Sequence, residues 1–226
     1  MIRAVLFDLD DTLYPQAAFL ECAWRDVAAE GCRHGLDESA LYEALVEVAA
    51  QGSDRGRIID RALDAVGARD VAIAPLLESF RRCAPAQLTP YNGVVDSLRA
   101  LRSVLPIALV SDGFVPGQHA KLTALGLDGL FDVIVLSDEL GREHRKPAAT
   151  PFLEALRQLD VAPRHAVMVG DRADKDVAGA AAATMRCIRV LTGEYADLPD
   201  DPPAWRVVPD ANAAVRLICQ LLDERD

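Results

Sequence analysis

The chain has 226 residues, 51% of them apolar and 26% charged, which suits one sizeable globular domain with a smaller companion. Its formal net charge of −11 argues against nucleic acid or an anionic membrane as the main partner, although a local cation can reverse the sign of one pocket. No apolar run approaches the roughly 20 residues that span a bilayer, and the first residues lack the features of a secretion signal, so a cytoplasmic location is expected. The elements follow in order. Residues 2–7 form a short apolar run without alternation, the pattern of a strand buried on both faces. Helical periodicity then fits 16–33, 38–50, 55–66 and 72–83, with breaks at Gly35, Gly52, Gly67 and the Pro85–Pro90 region. A helix over 90–104 leads to a second strand at 107–111. Further strands are expected at 133–137, 166–170 and 187–191, with helices at 117–126, 150–160 and 173–183 between them. Thr150 is the expected N-cap of its helix, with Pro151 at the first helical position. The Pro/Asp-rich stretch 198–210 has room for one short edge strand, and 212–224 closes the chain as an amphipathic helix.

Strands alternating with helices predict an α/β fold: a Rossmann-like parallel sheet core with helices on both faces, built from residues 1–14 and 89–226. About a hundred residues without a convincing strand separate the first two strands, so 15–88 is expected to be an inserted, small all-helical domain. Five cysteines (Cys22, Cys32, Cys83, Cys187, Cys219) form no C-x-x-C pair and read as free, mostly buried thiols. Cys32 and His34 lack a visible second half of a metal site.

The stretch VLFDLDDTL, residues 5–13, crowds Asp8, Asp10 and Asp11 onto the end of an apolar strand. Two carboxylates about 5 Å apart at an effective dielectric of about 20 repel by roughly 3 kcal/mol, so something must offset the charge. Three further strands end near an aspartate: Asp112 after Ser111, Asp138 after Ser137, and Asp171 after Gly170. In open α/β sheets ligands bind beyond the carboxyl ends of the strands, so these positions gather on one acidic rim. Asp138 is better read as capping the helix that follows. Asp8 and Asp10, one residue apart, point the same way in extended backbone. An EF-hand loop is excluded, because Leu13 stands where the turn glycine is needed and Phe19 where the bidentate Glu is needed. GDRADKD, 170–176, adds Asp171, Asp174 and Asp176, and such converging carboxylates suit Mg²⁺. Ser111 lies at the same sheet edge. Lys146, one of only three lysines, precedes a proline-led helix.

In this order, D-x-D-x-T (Asp8 to Thr12), a strand ending in Ser111, Lys146 before proline and GD-x4-D (Asp171, Asp176) resemble the four motifs of the haloacid dehalogenase superfamily. The resemblance spans residues 1–14 and about 90–195, and the helical insertion resembles that family's α-helical cap. It implies a phosphatase rather than a dehalogenase, since the carbon–halogen-cleaving member lacks the aspartate found here as Asp10. It also implies an aspartyl-phosphate on Asp8, the nucleophile and a Mg²⁺ ligand. Asp10 would lend its backbone carbonyl to the metal and its carboxyl to proton transfer. Asp171 would be the other carboxylate ligand, and Asp176 would orient Lys146 or a metal-bound water. Ser111 and Lys146, with amides around Asp112 and Gly113, would bind the phosphoryl oxygens.

Some positions depart from the family pattern. Arg172 replaces a small or hydroxyl residue and either pairs with Asp174 or reaches a substrate anion, the pairing being preferred. Asp112 stands where asparagine is frequent, and Asp11 reads as structural, facing away by strand alternation. Thr12 and Tyr14 are expected to shape the turn between core and cap. Arg55, Arg57, Arg81 and Arg82 are the cap residues available to a second anionic group, each more simply read as a solvated arginine. The expected partner is a small phosphorylated metabolite, acted on by a monomer or homodimer. A phosphomutase is the nearest enzymatic alternative. A receiver-type signalling module shares the aspartates and lysine, but is about half this length and lacks the insertion.

Overall fold

The computed structural model describes residues 1–52 and 55–224. The chain divides into two compact units, one made of residues 1–16 and 87–226, the other of residues 17–86. In chain order the helices are α1 (Gln16–Arg33), α2 (Glu38–Ala49), α3 (Ile58–Ala65), α4 (Ile73–Arg82), α5 (Val94–Arg102), α6 (Val115–Leu125), α7 (Ser137–Leu140), α8 (Thr150–Leu159), α9 (Ala178–Ala182) and α10 (Ala211–Asp223). Among the described residues, no helix is long and apolar enough to cross a membrane.

The larger unit is built on six strands: β1 (Ala4–Phe7), β2 (Ile107–Ser111), β3 (Val133–Leu136), β4 (Ala166–Gly170), β5 (Arg186–Val190) and β6 (Arg206–Val208). They lie in the order β3-β2-β1-β4-β5-β6, and every pairing is parallel. β1, β2 and β4 are buried along their whole length, which is why their sequences show continuous apolar runs instead of alternation. The chain places β2 and β3 on one side of β1 and β4 to β6 on the other. The crevice at the carboxyl end of β1 is therefore the topological switch point, where an open α/β sheet binds its ligand. Below the edge, Leu6, Val110, Met168 and Phe152 belong to one apolar cluster that fixes the strands and α8.

The smaller unit is helical. Trp24, Val27, Leu41, Leu45, Leu63 and Leu76 form its interior, and the Trp24 ring stacks on Phe80 at 4.9 Å between centroids. Asp37 caps α2 by accepting from the Ala40 amide at 2.8 Å. Of the GSDRGR stretch, Ser53 and Asp54 lie outside the described residues. Arg57 meets Asp60 at 3.3 Å and Arg82 meets Glu78 at 2.8 Å, both as exposed pairs along a helix.

Four expectations need correction. β3 stops at Leu136, and Ser137 opens the short helix α7, where a strand through 137 was expected. Asp138 does not cap that helix; it sits in the first turn and takes a two-pronged ion pair from Arg145 at 2.5 and 2.6 Å. Thr150 is the first residue of α8 rather than its cap, which is Ala149, and the Thr150 hydroxyl lies 3.2 Å from His144 Nδ1. The helix expected over 173–183 divides into a π turn at Ala173–Val177 and α9, and the edge strand of 198–210 is β6.

Candidate active site

β1 ends at Phe7, but the Asp8 amide still donates to the Val169 carbonyl at 2.9 Å, carrying the pairing with β4 one step further. Asp8 and Asp171 thereby emerge side by side at the switch point. Carboxylate oxygens of Asp8, Asp171 and Asp176 lie within 4.8 Å of one another, and all three residues are buried. The Lys146 ammonium sits among them, donating to Asp8 and, at 2.7 Å, to Asp176. The Thr12 hydroxyl lies 3.4 Å from Asp8 Oδ2 and 3.3 Å from Asp171 Oδ1.

Gly170 makes the cluster possible. A Cβ there would stand 2.4 Å from Asp176 Cγ, so only glycine lets that carboxylate approach β4. The π turn at 173–177 brings Asp176 back toward the strand, and its other oxygen accepts from the Arg172 amide at 3.0 Å.

Three carboxylates face one ammonium, and the charge states respond. Burial pushes the Asp8 carboxyl up to about 7, with Lys146 opposing the shift and Asp176 adding to it. Asp171 is raised well above the carboxylate range by burial, then by Asp176 and Asp8. Burial opposes the charge on Lys146, yet Asp176 and Asp8 outweigh it and hold that ammonium well above the ordinary lysine value. A hard divalent cation would relieve this excess of negative charge, and an all-oxygen donor set is the kind Mg²⁺ takes.

The other predicted residues surround this cluster. Ser111, buried at the end of β2, lies with its hydroxyl 3.2 Å from Gln118 Oε1. Gly113 follows with φ of 131°, a conformation that favours glycine. Asp112 faces protein groups: one oxygen accepts from the Ser137 hydroxyl at 2.7 Å and from the Lys146 amide at 3.1 Å, tying β2 to the segment that carries Lys146. The Asp10 carboxylate has partners of its own, Lys121 at 2.7 and 2.8 Å and the Tyr14 hydroxyl at 2.5 Å. Asp11 holds the turn, accepting from the amides of Gln16 at 2.9 Å and Glu194 at 3.2 Å. The reason differs from strand alternation: Asp11 has left the strand and takes a left-handed φ of 56°. Arg172 grips Asp174 at 2.8 and 2.7 Å and lies over the Tyr195 ring at 3.6 Å.

Lys121 and Arg189 were not singled out from the sequence. Lys121 shared the rarity of Lys146 and follows Gln118 at helical spacing on the helix that begins beside Ser111, a signal that could have found it. Arg189 is interior to a buried strand and gave no signal. It is 1% exposed and donates to the Asp171 carbonyl at 3.1 Å, and to the carbonyls of Tyr195, Leu198 and Pro199 at 2.8 to 3.0 Å.

A family model for haloacid dehalogenase-like hydrolases matches residues 2–184, and the chain belongs to that family. It is 37% identical over 219 residues to glyceraldehyde 3-phosphate phosphatase of Methanopyrus kandleri, covering 92% of this chain and 93% of that protein. It is 28% identical over 213 residues to phosphoglycolate phosphatase of Colwellia psychrerythraea, covering 90% of this chain and 91% of that one. The crystal structure of a 2-haloacid dehalogenase from Pseudomonas syringae superposes with a TM-score of 0.63 at 26% identity, covering 98% of this chain and all of that one. Within the family the chain is a phosphatase, a phosphoric monoester hydrolase.

Proposed function

We propose that the enzyme is a Mg²⁺-dependent phosphatase that hydrolyses a small phosphorylated metabolite through an aspartyl-phosphate on Asp8. The observation that carries this reading is the buried convergence of Asp8, Asp171 and Asp176 around a single ammonium, Lys146. Held by Asp8, Asp171 and the Asp10 carbonyl, Mg²⁺ would supply neutralising charge to the nucleophile and the phosphoryl oxygens. The chain's own groups do the rest. An Asp8 oxygen attacks phosphorus, and the bond to the leaving alkoxide breaks as the Asp10 carboxyl gives that oxygen its proton. A water then returns a proton to Asp10 and attacks phosphorus, releasing phosphate and freeing Asp8. Lys121 and the Tyr14 hydroxyl hold the Asp10 carboxyl in place. Lys146 and Ser111 take the phosphoryl oxygens, and Asp176 and Asp112 position Lys146 from its head and its backbone.

A leaving halide needs no proton, so a dehalogenase would have no use for Asp10 so carefully held. The helical unit serves as the cap, selecting the substrate and excluding water. The names of the relatives point to two- and three-carbon phosphate esters. The test is phosphate release from glyceraldehyde 3-phosphate, phosphoglycolate and a panel of larger esters, with Mg²⁺ and with EDTA. Turnover of the short esters that EDTA abolishes is expected. Undiminished turnover in EDTA would contradict the metal assignment.

A further inference from the structure

A second group of metal-ligating side chains lies in the helical unit, and none of its members has a role in the chemistry above. Cys22 and Asp26 are four residues apart on α1 and share a face of that helix. Cys83 stands at the C-terminal cap of α4. One atom from each, two sulfurs and a carboxylate oxygen, lie within 4.8 Å of one another. Ligands at 2.0 to 2.3 Å from a tetrahedral ion are separated by roughly 3.5 Å, so small side-chain movements suffice to close the group on one cation.

We propose that Cys22, Asp26 and Cys83 form a site for a thiophilic divalent cation such as Zn²⁺, with the fourth position left to water. The donor set separates this site from the catalytic one. Two sulfurs and one oxygen select a borderline-soft ion, whereas the three carboxylates at the sheet edge select a hard one. Burial also separates its members. Cys83 is buried, Cys22 half-buried and Asp26 exposed, so the carboxylate gives an ion a route in from solvent. The backbone is already held: the Ser79 hydroxyl donates to the Asp26 carbonyl at 3.0 Å, fastening α4 to α1 beside the group.

A disulfide between the two cysteines is the competing use. Both cysteines are free thiols here, and the Asp26 carboxylate beside them is a donor that a disulfide would have no use for. A coordinated thiol loses its proton outright. Two thiol protons leave as two sulfur–metal bonds form. The ion would link the first helix of the unit to the end of its last, where the chain leaves the unit at residue 86.

The test titrates the reduced, metal-stripped, full-length protein with Co²⁺ as a spectroscopic stand-in, then with Zn²⁺. One equivalent of Co²⁺ should develop thiolate-to-cobalt charge-transfer absorption and tetrahedral visible bands, both bleached by Zn²⁺. Cys83→Ser should abolish the charge-transfer band, and Asp26→Asn should weaken binding by at least about tenfold. Cys22→Ser, at the half-exposed position, keeps the test decisive if Cys83→Ser fails to fold. Asp171→Asn should keep the band, because the oxygen site contributes no sulfur. Absence of the band in wild type, its persistence in Cys22→Ser, or oxidation of the two thiols to a disulfide in place of binding would each overturn the proposal.

Discussion

The two units bury side chains by opposite chemistry. Inside the helical unit, Trp24, Leu41, Leu45, Leu63 and Leu76 gain by leaving water, at about 25 cal/mol per Å² of apolar surface. At the carboxyl edge of the sheet the buried residues include Asp8, Lys146, Asp171 and Asp176, whose desolvation costs stability that their pairing only partly returns. A chain keeps such a cluster for its chemistry. Substitution in the first region should act on folding, and substitution in the second on turnover.

The largest expected effect breaks the polar region alone. Asp8→Asn should lower kcat by on the order of 10³-fold or more while leaving a folded protein, as steady-state kinetics and circular dichroism would show. Next comes the apolar region: Leu45→Ala, at a fully buried position, should cost about 2–5 kcal/mol in urea unfolding. At temperatures where that variant stays folded, its sheet-edge chemistry should persist. A Leu45→Ala protein that stays folded yet loses kcat a thousandfold would blur the division between the regions.

A third prediction follows from charge. The Asp8 carboxyl is raised to about 7 in the folded protein, against about 4 in an unfolded chain. Between those values the folded state binds the extra proton, so this group makes stability fall as pH rises from about 4 to about 7. The metal-free protein should show that fall, to which the raised Asp171 carboxyl adds, and Asp8→Asn should remove Asp8's share, up to about 1.4 kcal/mol per pH unit. Mg²⁺ added at pH 8 should restore much of the loss, read as a rise in Tm.

The smallest effect has the opposite sign. The Arg145 hydrogen bond lowers the Asp138 carboxyl, so that pair contributes above the unfolded carboxylate value and is lost as pH falls through the folded one. Arg145 is partly exposed, so Asp138→Asn should cost only about 1 kcal/mol or less at pH 7, and progressively less as pH falls below the ordinary carboxylate value.

The sheet was legible because strands buried on both faces leave continuous apolar runs, and because Asp8, Ser111 and Asp171 mark where those runs stop. Lys146 was legible through its rarity and the proline after it. Side-chain partners across the fold were not. Nothing local says that Lys121 reaches back to Asp10, or that Arg189, inside β5, ties down the Asp171 carbonyl. Asp138 shows the limit of local rules, since capping propensity gave way to an arginine seven residues on. Asp11 was assigned correctly to the turn for an incorrect reason, because alternation does not extend past Phe7. The Cys22, Asp26 and Cys83 group depends on α1 and α4 lying together, which no spacing in the sequence reports.

The central claim is that Asp8 carries the phosphoryl group. The most direct measurement is a rapid-quench turnover of the best substrate with Mg²⁺, followed by mass mapping of the peptide containing Asp8, in wild type and in Asp10→Asn, where breakdown of the intermediate should be slowed. The account predicts a phosphoryl group on Asp8 in at least the slowed variant, and its absence from Asp8→Asn together with loss of hydrolysis. Hydrolysis by Asp8→Asn within tenfold of wild type would contradict it.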